Sequence, residues 1–173
     1  MVSLDPIEAE ECLRNMVYCI DSREQPTKAL EKRLEYLQPN VRETLNAGDY
    51  TAKTLLPDGT WVYVPVAIER KMSLDELASC FTRSRDRFRR EMERACSNHS
   101  TVYLLVENGS YEGIIKHRYK SRYNPTAFLA SLTAWTVRYN IIPIFCKAET
   151  SGQIIKEILY RDIKERLERG EYG

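Results

Sequence analysis

The sequence holds little of what usually marks a function class. It has only two histidines, His99 and His117, and neither has an acidic or histidine neighbour at ligand spacing, so both read as surface residues. The five cysteines (Cys12, Cys19, Cys80, Cys96 and Cys146) form no CxxC pair. That argues against zinc ribbons and a disulfide framework and suits small core residues of a reduced protein. The seven glycines are scattered, and none builds a phosphate loop between a strand and a helix, which argues against a nucleotide-binding α/β protein. No apolar run approaches membrane-spanning length, and the acidic N-terminus resembles neither a signal nor a transit peptide. With 26 basic and 25 acidic side chains the net charge is only +1. Overall charge therefore names no partner, and a nucleic-acid surface must come from local clusters of lysine and arginine.

At 173 residues the chain is long enough for one domain with a proper core. Asp5 and Pro6 open a short helix over 5–14. An apolar strand over 16–20 delivers Asp21 at its end, and a helix follows over 27–38 with Leu30, Leu34 and Leu37 on one side. Residues 41–56 supply one or two strands around Gly48-Asp49, and Pro57-Asp58-Gly59-Thr60 is a hairpin turn. The return strand, 61–71, places Val62, Val64, Val66 and Ile68 on one face and Glu69 and Lys71 on the other, with an interruption at Pro65. Ser73 and Glu76 form a capping box for the next helix. A basic helix over 84–97, a strand over 101–106 and a polar, basic loop over 107–123 come next. A helix over 125–139, a strand over 141–146 and a helix over 150–168 complete the chain. Strands alternating with helices predict an α/β architecture. The expected organisation is a helical extension over 1–15 followed by a single domain over 16–168.

The chemistry concentrates in two short stretches. Asp49 follows a glycine turn, and Glu69 and Lys71 lie two apart on one strand face. Carboxylates so placed suit a divalent cation, and the lysine either helps to orient and deprotonate a water or stabilises charge on a phosphate. Taken singly, Asp49 reads as a turn former and Glu69 as a solvated strand end. Asp21, a carboxylate ending an apolar strand, needs a partner; it is either a further ligand or an acceptor for Arg23. Arg70 shares the apolar face and is expected to pair with Asp75, Glu24 or Asp21, bracing the site from behind. Asp75 also suits the first turn of a helix whatever its function. Arg83, Arg87, Arg90 and Arg94 share one helix face, which predicts phosphate contacts or, alternatively, a salt-laced surface. Lys116, Arg118, Lys120 and Arg122 interleave with aromatics, a composition suited to gripping a backbone and stacking on unpaired bases, or else to a mobile loop.

Asp21-Ser22-Arg23-Glu24, then Gly48-Asp49-Tyr50, then Glu69-Arg70-Lys71 with Asp75 beyond, resembles the nuclease domain of the XPF family of structure-specific endonucleases. The likeness spans about residues 16–165 and extends to Arg87-Phe88 in the basic helix. It implies a restriction-endonuclease-like core, with a central mixed sheet flanked by helices on both faces. It further implies cleavage of branched, flap or fork DNA with Mg2+ or Mn2+, in DNA repair or recombination. Asp49, Glu69 and Asp21 would be the metal ligands. Lys71 and Arg70 would complete the catalytic set, with Arg23, Glu24 and Asp75 in support. Family nuclease domains also dimerise, so a homodimer is expected. Members usually carry a tandem helix-hairpin-helix module after this domain, and the chain ends at Gly173, so either a partner protein would supply junction specificity or the domain would be less selective. The rival expectation is a non-catalytic DNA-binding module. No membrane association is expected, and the compartment would be the cytoplasm (nucleoid-associated) or a nucleus.

Overall fold

The computed structural model describes residues 4–98 and 101–172; His99 lies outside them. In chain order the elements are α1 (Pro6–Arg14), β1 (Val17–Asp21), α2 (Lys28–Leu34), β2 (Asn40–Glu43), β3 (Tyr50–Leu55), β4 (Trp61–Tyr63) and β5 (Val66–Lys71). Then come α3 (Leu74–Phe81), α4 (Arg85–Ser97), β6 (Thr101–Glu107), α5 (Tyr111–Ile115), α6 (Pro125–Tyr139), β7 (Ile141–Cys146) and α7 (Ser151–Glu168). The strands pair in both directions and helices flank them, which is the α/β class expected from the sequence. No helix among the described residues is long and apolar enough to cross a membrane.

The chain divides into two compact units, one of residues 1–45, 50–66 and 152–173, the other of residues 46–49 and 67–151. In the first, β1 pairs parallel with β2 (Tyr18 opposite Asn40) and antiparallel with β3 (Ile20 opposite Tyr50), and β3 pairs with β4. Asp5 caps α1 through a complete capping box with Glu8, as the sequence leads one to expect. Helix α2 stops at Leu34 rather than at 38, because Tyr36 and Leu37 donate to carbonyls three residues back and tighten the end. The expected single return strand is two. After β4 the chain breaks at Pro65, which offers no N–H to a ladder. On α7, Ile155, Leu159, Ile163 and Leu167 recur every fourth position and are all buried.

In the second unit β5, β6 and β7 lie in that order, and β6 runs parallel to β7 with Val102 opposite Ile141. Ser73 caps α3 by accepting the Glu76 N–H, while the Glu76 carboxylate reaches back to the Met72 N–H rather than to Ser73. Leu74, Leu77, Ala78 and Phe81 of α3 are buried, as are Phe88, Met92 and Ala95 at helical spacing on α4. Phe88 stacks on Trp135 of α6 with centroids 5.1 Å apart, and Phe81 meets Trp135 edge-on at 5.1 Å. This aromatic group fills the core beneath the catalytic candidates, where each buried ring is worth about 1.5–3 kcal/mol. The segment expected as loop over 107–123 contains α5, opened by Ser110, whose side chain accepts the Gly113 N–H.

Candidate active site

Asp49 is positioned by its neighbours on both sides. Gly48 takes φ +72°, and a Cβ there would lie 2.9 Å from the Ile68 carbonyl oxygen and 3.0 Å from the Ala67 Cβ. Only glycine lets the turn close so tightly on β5. The Asp49 N–H then donates to the Ile68 carbonyl at 2.8 Å, and Asp49 Oδ2 accepts the Arg70 N–H at 2.8 Å. The turn is thereby clamped to the strand that carries Glu69 and Lys71. Gly48→Ala is expected to cost about 1–2 kcal/mol from the left-handed backbone alone, and more from the clash. Urea unfolding measures it, and a stability equal to wild type would contradict this account of the turn.

Glu69 and Lys71 are both buried, and Lys71 Nζ lies 2.5 Å from Glu69 Oε1. The ammonium also sits 5.3 Å from the centroid of the Phe88 ring, which forms its floor. Burial works against the charged lysine, but the Glu69 carboxylate, with Asp49 adding to it, outweighs burial and holds Lys71 above its ordinary pKa. Lys71 is therefore a cation at neutral pH. The neighbouring Cys80 thiol is pushed up to about 11 by burial and is neutral there.

Arg70 pairs with Glu107 at the end of β6, with its Nη1 3.1 Å from Oε2, a partner that the sequence reading did not name. Glu107 is a site residue the sequence reading missed, although a carboxylate ending the apolar run of β6 was the same signal that singled out Asp21. Phe88 was noted only beside Arg87; its place under Lys71 depends on contacts between α4 and β5 that the sequence does not show.

Asp21, in the first unit, acts as a brace. Its buried carboxylate accepts the Arg23 N–H at 2.8 Å, Arg23 Nε and Nη2 at 2.7 Å each, and the Leu45 N–H at 3.0 Å. This is the arrangement of a structural acceptor for Arg23. Burial pushes its pKa up, but the bonds from Arg23 and Leu45 prevail and hold it below the ordinary value. Its share of stability is therefore complete above the unfolded aspartate value of about 3.9 and fades as pH falls through the lowered folded value. In Arg23→Ala the two guanidinium bonds are lost while burial and the two backbone donors stay, so the Asp21 pKa should rise and acid unfolding followed by circular dichroism should move to higher pH; an unmoved transition would contradict the brace. Glu24 belongs to a buried network in the same unit. The Tyr50 hydroxyl donates to it at 2.7 Å, and Arg33 Nε donates to the Tyr50 oxygen at 3.0 Å.

The basic helix is partly as expected. Arg83 precedes α4 and donates to Ser79 Oγ, so it does not share the helix face. Arg87 pairs with Glu91 at 3.0 Å and Arg89 with Glu93 at 2.9 Å, the salt-laced pattern. Arg90 and Arg94 are exposed and have no acidic partner among the described residues. In the 116–122 segment all four cations are exposed. The tyrosines depart from the expected base-stacking role. Tyr119 and Tyr123 pack on Phe128, with centroids 5.3 and 5.4 Å away, and fasten the segment to the core.

A glycine turn clamped to a strand with a buried Glu–Lys pair, on a mixed sheet flanked by helices, defines the restriction-endonuclease-like class of nuclease folds. More closely, the chain belongs to the ERCC4-domain family, whose domain matches residues 20–158. Among solved structures it is similar to XPF from Aeropyrum pernix, with a TM-score of 0.62 and 20% identity over 90% of this chain and 69% of that one. It is also similar to XPF from Aeropyrum pernix in complex with DNA, with a TM-score of 0.59 and 23% identity over 87% of this chain and 66% of that one. The chain thus spans about two thirds of those chains. At such identities the likeness is one of fold. No match was found among curated proteins.

Proposed function

We propose that this domain hydrolyses phosphodiester bonds in DNA, with Asp49 and Glu69 holding Mg2+ or Mn2+. The observation that carries the reading is the clamp of Asp49 onto the strand bearing the buried Glu69–Lys71 pair, in a chain of the ERCC4-domain family. The donor set fits a hard cation. Among the described residues no three His, Cys, Asp or Glu side chains gather to hold a metal, so the proposed site rests on two carboxylates, oxygen donors rather than the nitrogen and sulfur of structural zinc sites. Mg2+ commonly takes one or two carboxylates and completes its shell with water and substrate oxygens.

When bound, such a cation polarises a phosphate and lowers the pKa of a water. The chain's own residues do the rest. The Arg70 N–H orients the Asp49 carboxylate, and Phe88 and Glu69 hold the Lys71 ammonium in place. Beside Glu69, Lys71 is placed to stabilise charge building on the phosphate or to orient the attacking water. Asp21 is assigned to the brace around Arg23 instead of the metal. Arg90, Arg94 and the 116–122 cations are the proposed phosphate contacts. Branched or flap DNA as the preferred substrate, a homodimer and a partner protein that supplies junction specificity belong to the same proposal. Sedimentation of the protein alone reads self-association.

The test uses labelled 3′-flap, fork, duplex and single-stranded DNA, each with and without Mg2+ or Mn2+. Cutting that needs the metal and favours the branched forms is the expected result. Binding without cutting of any of them would make the chain a DNA-binding module.

A further inference from the structure

Asp75, expected to support the catalytic residues, makes bonds of its own. Its Oδ1 accepts the backbone N–H of Lys120 at 2.9 Å and that of Ser121 at 2.7 Å, donors 45 and 46 positions away in sequence. Asp75 stands in the first turn of α3, and Lys71 lies just before that helix. Lys120 and Ser121 belong to the segment between α5 and α6. A single carboxylate oxygen therefore ties the helix next to the catalytic strand to the segment that carries Lys116, Arg118, Lys120 and Arg122.

The rest of that segment is built to keep its shape. The Tyr119 hydroxyl donates to the Tyr123 carbonyl at 2.7 Å while its ring abuts Phe128. The Arg118 N–H returns to the Gly113 carbonyl at 2.7 Å. His117, at φ 52°, places Nε2 2.8 Å from the Ser121 carbonyl and its ring 4.4 Å from that of Tyr119. The Lys120–Ser121 stretch between these fastenings is held by Asp75. Two N–H groups on one anionic oxygen are charge-assisted bonds, roughly twice as strong as neutral ones.

We infer that Asp75 is a positioning residue for DNA, latching the 116–122 segment so that its four cations meet the phosphate backbone together. The inference rests on the reading that the chain binds and cuts DNA. An amide oxygen can accept the same two N–H groups, through weaker bonds because it lacks the charge. A metal ligand needs the negative charge. Asparagine therefore separates the two roles.

The experiment compares wild type, Asp75→Ala and Asp75→Asn. It reads Kd for flap DNA by anisotropy in EDTA, KM and kcat across a Mg2+ titration, and amide exchange at Lys120 and Ser121. Losing concerted phosphate contacts in Asp75→Ala should raise Kd and KM roughly five- to tenfold, leave the Mg2+ half-saturation unshifted and speed exchange at both amides. Asp75→Asn should recover part of the loss in Kd, KM and exchange, placing each between the Asp75→Ala and wild-type values, with the Mg2+ half-saturation unshifted. Adding Lys120→Ala to Asp75→Ala should cost less than the sum of the two, since the latch acts through that cation. The latch is overturned if Asp75→Asn is as defective as Asp75→Ala and needs more Mg2+, or if Asp75→Ala changes neither affinity nor exchange. Should wild type cut nothing, the nuclease reading fails, while Kd and exchange still decide the latch.

Discussion

Glu69→Gln should abolish cleavage while sparing DNA binding. Glutamine keeps the shape of the side chain but removes the charge that holds Lys71, whose ammonium is 2.5 Å away, and that is proposed to hold the metal. Removing one preorganised electrostatic group from an active site commonly costs about 10²–10³ in rate. Here the expected loss is larger, because the substitution disturbs cation and lysine together. Affinity for flap DNA should be no weaker than wild type, since a negative charge has been taken from a phosphate-binding surface. Single-turnover cleavage and anisotropy on the same preparation give the two numbers. Cleavage within tenfold of wild type would remove Glu69 from the site.

The second large effect is on stability. Arg70 and Glu107 form an ion pair in which the carboxylate is 4% exposed and the guanidinium 17%. Removing one partner of such a pair typically costs about 3–5 kcal/mol, because a charge remains in a dry setting. Arg70→Ala should lower the urea midpoint accordingly. Arg70→Lys should also be damaging, since an ammonium cannot reproduce the planar fork of a guanidinium. The double replacement Arg70→Met with Glu107→Leu should recover most of the stability, as apolar side chains of similar volume do at other buried pairs. Both single variants within 0.5 kcal/mol of wild type, a range usual for surface changes, would show that the pair does not brace the strand.

The strands and most helices were legible because their signals are local. The β5 alternation, the Ser73 cap and the Asp5-Pro6 start each depend on residues within a turn or two. The Gly48-Asp49 turn was legible as well, since a glycine before a polar residue announces a backbone that others adopt poorly. Partnerships across long sequence separations were not. Arg70 bonds to a residue 37 positions on, and Asp75 to residues 45 and 46 positions on, so Glu107 was not named for Arg70 and Asp75 was placed in support of the catalytic set. The aromatics of the 116–123 stretch were misjudged for a related reason. Interleaved tyrosine and lysine suit nucleic acid by composition, but Phe128 on the next helix offers Tyr119 and Tyr123 a ring to pack on. Helix α5 was missed because five residues are too few to show a helical period.

The most direct test of the proposed metal-dependent nuclease is single-turnover cleavage of a labelled flap DNA across a Mg2+ titration, wild type beside Asp49→Asn. Cleavage that rises with Mg2+ in wild type and is lost in the variant, with DNA affinity preserved in both, is the predicted result. Cleavage that is indifferent to Mg2+, or equal rates for the two proteins, would contradict it.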